Sequence, residues 1–223
     1  MKSRTKIFSP LRALNSGGKG FTLLELIISM ALGLTLLGTV YGVFTIQQKH
    51  FINQEQIVEM QQNARMAIDI ISREIRMAGY DPKITGYFTF QTTASEDRET
   101  NHSRIAFTYD ANGDGIQYWN DTEQVAFRVD DGVLKRFSTG SVHWQPLVEN
   151  IELLEFSYAL SDGTIVASPS DPTAAQVLTI VKVTITVTAK TTKPDPAYTD
   201  PTNGDHYRRY RLTTSVTPRN LGF

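Results

Sequence analysis

Gly20 to Phe44 reads G-F-T-L-L-E-L-I-I-S-M-A-L-G-L-T-L-L-G-T-V-Y-G-V-F. From Phe21 to Phe44 there are 24 residues and one charge, Glu25. About 20 predominantly apolar residues in a helix suffice to cross the hydrocarbon core of a bilayer, so this stretch reads as a membrane segment. Upstream, Met1 to Lys19 holds Lys2, Arg4, Lys6, Arg12 and Lys19 and no acidic residue. The positive-inside bias keeps that end in the cytoplasm and sends the rest of the chain out.

A secretory signal has a shorter apolar core followed by a small-x-small cleavage site, and neither feature is present. Instead a Gly-Phe junction lies on the cytoplasmic side of the apolar run, with a carboxylate a few residues beyond it. The stretch G-F-T-L-L-E resembles the processing site of type IV pilins and of the pseudopilins of type II secretion. The resemblance implies that a prepilin peptidase cuts after Gly20 and that Phe21 becomes an N-methylated terminus. It also implies a subunit that waits in the inner membrane and is drawn into a filament, its apolar helix moving from lipid to a bundle of like helices.

Glu25 is the residue this reading depends on. A carboxylate at the centre of a membrane helix costs on the order of 2.5–3.5 kcal/mol on insertion scales, so it needs a partner or a route to the interface. The family supplies a partner, the free amine of a neighbouring mature N-terminus. The plainer alternative is a helix-start glutamate that reaches the headgroups and favours the positive end of the helix dipole.

The chain has 223 residues, and removing the first 20 leaves 203, enough for one domain on a long helix. Its formal net charge is −1; the leader carries five of the 22 basic residues, so the remainder has 17 basic against 23 acidic, a balance of −6. Such a body does not suggest general nucleic-acid binding. The absence of cysteine excludes thiol catalysis, Cys-ligated zinc and a structural disulfide.

Past the membrane segment, Ile57, Met60, Ala64, Ile68, Ile71, Ile75 and Ala78 recur at spacings of three and four, the stripe of an amphipathic helix. Gly79 marks a C-cap and Pro82 a stop. Thr22 to Ala78 as one helix is about 85 Å long at 1.5 Å per residue, too long to lie inside a domain of this size. Gly33, Gly38 and Gly42 either let helices approach closely in the membrane or mark local melting on assembly. Many major pilins carry a proline where Gly42 stands, which points to a minor subunit. The helix end N-A-R-M-A-I-D-I-I-S-R-E-I-R-M-A-G-Y, Asn63 to Tyr80, resembles the PilW family of minor pilins, as does Arg219-Asn-Leu221 near the chain's end.

From Ile84 the period becomes alternating. Ile105 to Tyr109, Gly115 to Trp119, Val125 to Val129, Val133 to Phe137, Glu152 to Ala159, Val177 to Lys190 and Tyr207 to Val216 read as strands, with Asp131-Gly132 as a hairpin turn. The long run from Val177 predicts a bend or bulge. Ser168 to Thr173 and Lys193 to Asp205 are rich in Pro, Asp, Ser and Thr and read as exposed loops.

Two clusters invite chemistry. In D-A-N-G-D-G-I-Q-Y-W-N-D, Asp110, Asn112 and Asp114, the carbonyl of Ile116 and Asp121 follow the spacing of a calcium loop, which needs six to eight converging oxygens. The alternative is a loop in which Asn-Gly and Asp-Gly only supply turn residues. In H-Y-R-R-Y-R, His206 to Arg211, basic and aromatic residues alternate as on a single-stranded DNA platform, but a solvated strand face explains the pattern as well. His50, His102, His143 and His206 lack metal-ligand spacing. No catalytic motif is found, so the chain does not read as an enzyme.

The expected fold is α+β: a leader at 1–20, a transmembrane or filament-core helix at 21–44, its amphipathic continuation at 45–79 and a globular antiparallel β domain at 80–223. The resemblance implies a minor pilin of the PilW type that helps initiate or cap a type IV pilus. Its partners are then prepilin peptidase, other minor and major pilins, the pilus assembly platform and the inner membrane, with the domain in the periplasm before export to the pilus. A type II secretion minor pseudopilin J is the alternative within the class. A membrane-anchored, calcium-binding periplasmic domain that never assembles is the alternative outside it.

Overall fold

The computed structural model describes residues 20–92, 98–117, 123–138 and 141–221. The chain forms two compact units, Met1–His50 and Phe51–Phe223, and helix α1, Leu23–Ile75, contributes to both.

In the first unit the helix opens with a capping box. The Thr22 backbone N–H donates to Glu25 Oε2 at 2.9 Å, and the Glu25 N–H donates to Thr22 Oγ1 at 3.3 Å. Two amide donors that a helix start leaves open are thereby satisfied. The hydroxyls of Thr35 and Thr39 donate to the carbonyls of Ala31 and Thr35 at 2.8 and 2.9 Å. Bonded within the helix, they bring no unsatisfied donor into lipid. The large apolar side chains from Leu23 to Phe44 are all exposed, and the helix is long and apolar enough to cross a membrane.

In the second unit the same helix buries one stripe: Met60, Ala64, Ala67, Ile68, Ile71, Ser72 and Ile75. Two four-stranded sheets complete this unit. The first runs in the order β1 (Arg104–Thr108), β2 (Gln124–Asp130), β3 (Val133–Ser138), β4 (Ser141–Glu149). The second runs β6 (Ile165–Val166), β5 (Ile151–Leu160), β7 (Ile180–Lys190), β8 (Arg209–Val216). Every pairing is antiparallel. The helix stripe joins Phe90, Phe107, Phe127, Phe156 and Tyr158 in one core. Each such side chain stabilises by about 1.5–3 kcal/mol on burial. Two long-range bonds tie the sheets: the Phe156 N–H donates to the His102 carbonyl at 2.8 Å, and the Tyr158 hydroxyl to the Asn101 carbonyl at 2.6 Å.

The turn at Asp131-Gly132 has φ of 53° and 74°, the paired positive angles of a type I′ hairpin. Other expectations need correcting. Val177 lies in a short helix, α2 (Ala174–Val177), and not in a strand. Thr173 and Gln176 form a reciprocal cap there, and this local bonding overrides the β preference of valine. The expected bulge is present where β5 shifts register between Ala159 and Leu160 against β7. Gly115 to Gln117 is irregular, while Tyr118 and Trp119 lie outside the described residues. Strand β4 had no reading of its own, because Pro146 and charged or polar neighbours blur its alternation. The 193–205 loop is not uniformly exposed: Asp195 and Asp200 are buried.

Candidate functional site

Gly20 and Phe21 lie just ahead of the helix, exposed, and Glu25 sits three residues past Thr22 in its cap. In this arrangement Glu25 serves its own helix start. The carboxylate also accepts from the Thr22 hydroxyl at 2.9 Å, so it is partnered within one turn.

The two stretches that separately resembled PilW proteins meet in the second unit. Asn220 Nδ2 donates to the Arg76 carbonyl at 3.2 Å, and the Arg219 N–H reaches the same oxygen at 3.4 Å. Gly79 has φ of +73°, and a Cβ there would stand 2.2 Å from Leu221 Cδ2. Its N–H donates to the Thr108 carbonyl of β1 at 2.9 Å. Gly79 thus ties the end of the helix to the first sheet, where a capping glycine would have bonded back to its own helix. After Ile75 the chain tightens, with Met77 and Ala78 donating three residues back to Glu74 and Ile75. Nearby, Arg136 Nε bonds both oxygens of Glu74, at 2.8 and 3.0 Å, fixing the helix to β3. Burial pushes the Glu74 carboxyl above its usual range even though Arg136 opposes that shift.

In the Asp110 loop the side chains hold the turn. Asp110 is buried, its Oδ1 accepting from the Gly113 N–H at 2.6 Å and its Oδ2 from the Gly115 N–H at 2.9 Å. Asn112 Oδ1 accepts from the Asp114 N–H, and Asp114 Oδ1 from the Ile116 N–H, both at 2.8 Å. Lys83 Nζ donates to the Asp114 carbonyl at 2.8 Å, placing a cation beside the loop. Asp121 lies outside the described residues. The third carboxylate found near Asp110 and Asp114 is Glu123, their ligand oxygens all within 4.8 Å of one another. Neither Lys83 nor Glu123 was legible as a neighbour in sequence, since neither belongs to the loop's spacing.

The His206 to Arg211 run is engaged within the domain. Arg208 bonds Asp195 at 2.9 Å, Arg211 bonds Glu155 at 3.0 Å, and Arg209 bonds Asp205 at 2.7 Å and Glu152 at 2.8 Å, with Asp200 at 3.3 Å. The Arg209 guanidinium, more than any other cause, holds the Asp205 carboxyl down at about 2. Asp200 also takes the Thr202 and Asn203 amides at 2.9 Å, which explains how an aspartate lies buried in a loop. His102 pairs with Asp171 at 2.6 Å and His206 with the Tyr198 carbonyl at 2.5 Å.

Two family models match parts of this layout. Residues 16–41 match the prokaryotic N-terminal methylation motif. Among solved structures the chain is similar to the type IV-like pilin TTHA1219 from Thermus thermophilus, at 12% identity and a TM-score of 0.44, over 73% of this chain and 98% of that one. No curated protein matches in sequence. Residues 53–217, most of the chain and nearly all of the second unit, match the family described as prepilin peptidase-dependent protein B. With a methylation motif ahead of an apolar helix and that family's domain behind it, the chain belongs to the prepilin peptidase-dependent protein B family, as a pilin-like subunit.

Proposed function

We propose that this protein is a minor pilin of the PilW kind, cut by prepilin peptidase between Gly20 and Phe21, N-methylated at Phe21, and assembled through Glu25 into the complex that initiates or caps a type IV pilus. The observation carrying this reading is one helix of two characters: exposed apolar side chains on all sides directly behind the processing motif, then a stripe buried in the domain's own core. An all-round apolar helix is stable only in lipid or among like helices. In the membrane the domain stands on the periplasmic side. In the filament Glu25 gives up the Thr22 amide for the amine of a neighbouring Phe21, a stronger, charge-assisted partner. The role is structural and needs no catalytic group.

Mass spectrometry of the native protein tests the first step, the expected N-terminus being methylated Phe21. A chain still carrying residues 1–20 favours the anchored, non-assembling alternative. Glu25→Ala is expected to leave processing intact while removing the subunit from filaments. Recovery with secretion pseudopilins in place of pilus subunits favours the pseudopilin J reading.

Calcium at Asp110, Asn112, Asp114 and the Ile116 carbonyl is a separable proposal, supported by the proximity of Glu123. Asp110 and Asp114 accept loop amides and keep further carboxylate lone pairs to offer an ion. Titration of the detergent-solubilised chain with calcium decides it, and no heat at about millimolar ion ends it.

A further inference from the structure

The two sheets have four edges, at β1, β4, β6 and β8, and the first three are blunted. Residues 89–91 cover β1: the Gln91 N–H donates to the Ala106 carbonyl at 2.8 Å, and the Thr108 N–H to the Thr89 carbonyl at 2.9 Å. Strand β4 holds Pro146 and shifts register against β3. Strand β6 is two residues long. Cover, proline, irregular register and shortness all keep a sheet edge from pairing with another chain. Strand β8 has none of these. It runs eight residues, R-Y-R-L-T-T-S-V, in unbroken register with β7.

The direction of its backbone groups follows from the pair just before it. The Thr191 N–H donates to the Arg208 carbonyl at 2.9 Å, continuing the register in which Lys190 faces Arg209. Antiparallel ladder bonds recur at every second residue, so Tyr210, Leu212 and Thr214 bond to β7. Arg211, Thr213 and Ser215 then turn their N–H and C=O groups outward. Among the described residues nothing bonds to those groups, and the three residues are exposed. On the inner face Tyr210 and Leu212 pack on the core yet stay half-exposed, so the core is open along this edge.

We infer that the outer edge of β8 is a pairing site for an extended, acidic segment of another polypeptide, which adds to the second sheet as a fifth strand. Main-chain bonds to Arg211, Thr213 and Ser215 supply the affinity, and alternate side chains supply the selectivity. On the inner face the partner's residues are apolar, extending the surface of Tyr210 and Leu212. On the outer face a carboxylate is favoured, because β8 carries two arginines and no acid. Arg211, 65% exposed, bonds Glu155 through one nitrogen and has further N–H donors for a second carboxylate. This site needs neither processing nor filament entry, so its failure leaves the pilus reading untouched.

The test is amide hydrogen exchange on the full chain in nonionic detergent, with the peptide acetyl-Glu-Val-Thr-Val-Glu-Val-Thr-amide as probe. At about 1 mM peptide the Arg211, Thr213 and Ser215 amides are expected to slow roughly tenfold, which corresponds to a Kd of about 0.1 mM. The Leu212 and Thr214 amides, already bonded to β7, are expected to stay unchanged. The same peptide N-methylated at every residue has no amide donor and is expected to slow nothing. Thr213→Pro removes an amide that bonds nothing within the chain, so its Tm is expected to hold while probe binding is lost. If that variant fails to fold, the methylated peptide carries the test. The proposal is overturned if the probe slows none of the outward amides at about 1 mM, or if the methylated peptide acts like the probe. It is also overturned if those amides are slow without the probe and quicken on dilution of the chain, which identifies a second copy as the occupant.

Discussion

Two stretches of one helix differ in what their side chains meet. Between Leu23 and Phe44 the apolar residues are exposed on all sides, whereas between Met60 and Ile75 they form a stripe that ends in the core. The backbone pattern is shared, so the difference lies in the partner each stretch requires. An apolar surface all round needs a solvent or neighbours as apolar as itself; a stripe needs only one sheet. The first stretch therefore depends on other molecules and the second is satisfied by its own chain.

The sharpest way to break this contrast is to truncate one residue in each stretch. Ile71→Ala is expected to cost the globular unit about 2–5 kcal/mol, because Ile71 is fully buried. Leu36→Ala is expected to leave that unit's thermal transition within about 0.5 kcal/mol. Equal losses in the two variants, read by denaturation in detergent, would sink the contrast.

The helix end comes next. Gly79→Ala puts an L side chain at positive φ, costing about 1–2 kcal/mol, and forces Leu221 away. Loss of the Leu221 contact is readable as faster hydrogen exchange at the Arg219 amide. An unchanged Tm and exchange rate would mean that the tail does not clasp the helix.

Acid separates two kinds of carboxylate within the second unit. Asp205 falls from 3.8 to about 2 on folding, mainly through Arg209, and Asp195 and Asp200 are also lowered, chiefly by Arg208 and by the Asn203 amide. The folded state then binds fewer protons than the unfolded one. The Asp205 contribution is full above about pH 4 and is lost as pH falls towards about 2, and those of Asp195 and Asp200 are lost in the same direction. Glu74 has the opposite sign: burial raises its pKa, so its contribution is present at low pH and is lost as pH rises through the raised value. Glu74→Gln should remove that loss while leaving the acid loss in place, as followed by Tm against pH. The smallest effect expected is from Arg211→Ala. Its side chain is 65% exposed, and the pair with Glu155 should contribute less than about 1 kcal/mol to unfolding in denaturant.

Much of the fold was legible. The stripe from Met60 to Ala78, the Asp131-Gly132 turn and the alternation of Val183, Ile185, Val187 and Ala189 each depend on residues a few positions apart. Thr173-x-x-Gln176 also carried its signal, a capping box, which the valine-rich run behind it obscured. The candidate sites were less legible. The calcium spacing identified Asp110, Asn112 and Asp114 but not Lys83 or Glu123. The basic run His206 to Arg211 gave no sign that Glu152, Glu155 and Asp195 would neutralise it.

By itself the sequence determined that this protein carries a membrane-length helix within an N-terminal methylation motif and a β-rich domain after it. Hydropathy, period and turn chemistry act over a few residues and do not wait for the chain to fold. Only the tertiary structure decided that Arg76 meets Asn220, that Glu74 meets Arg136, and that Arg104 and Arg128 share one cleft. Such contacts depend on the path of the backbone and on strand register, which bring together residues far apart along the chain once a common core has formed.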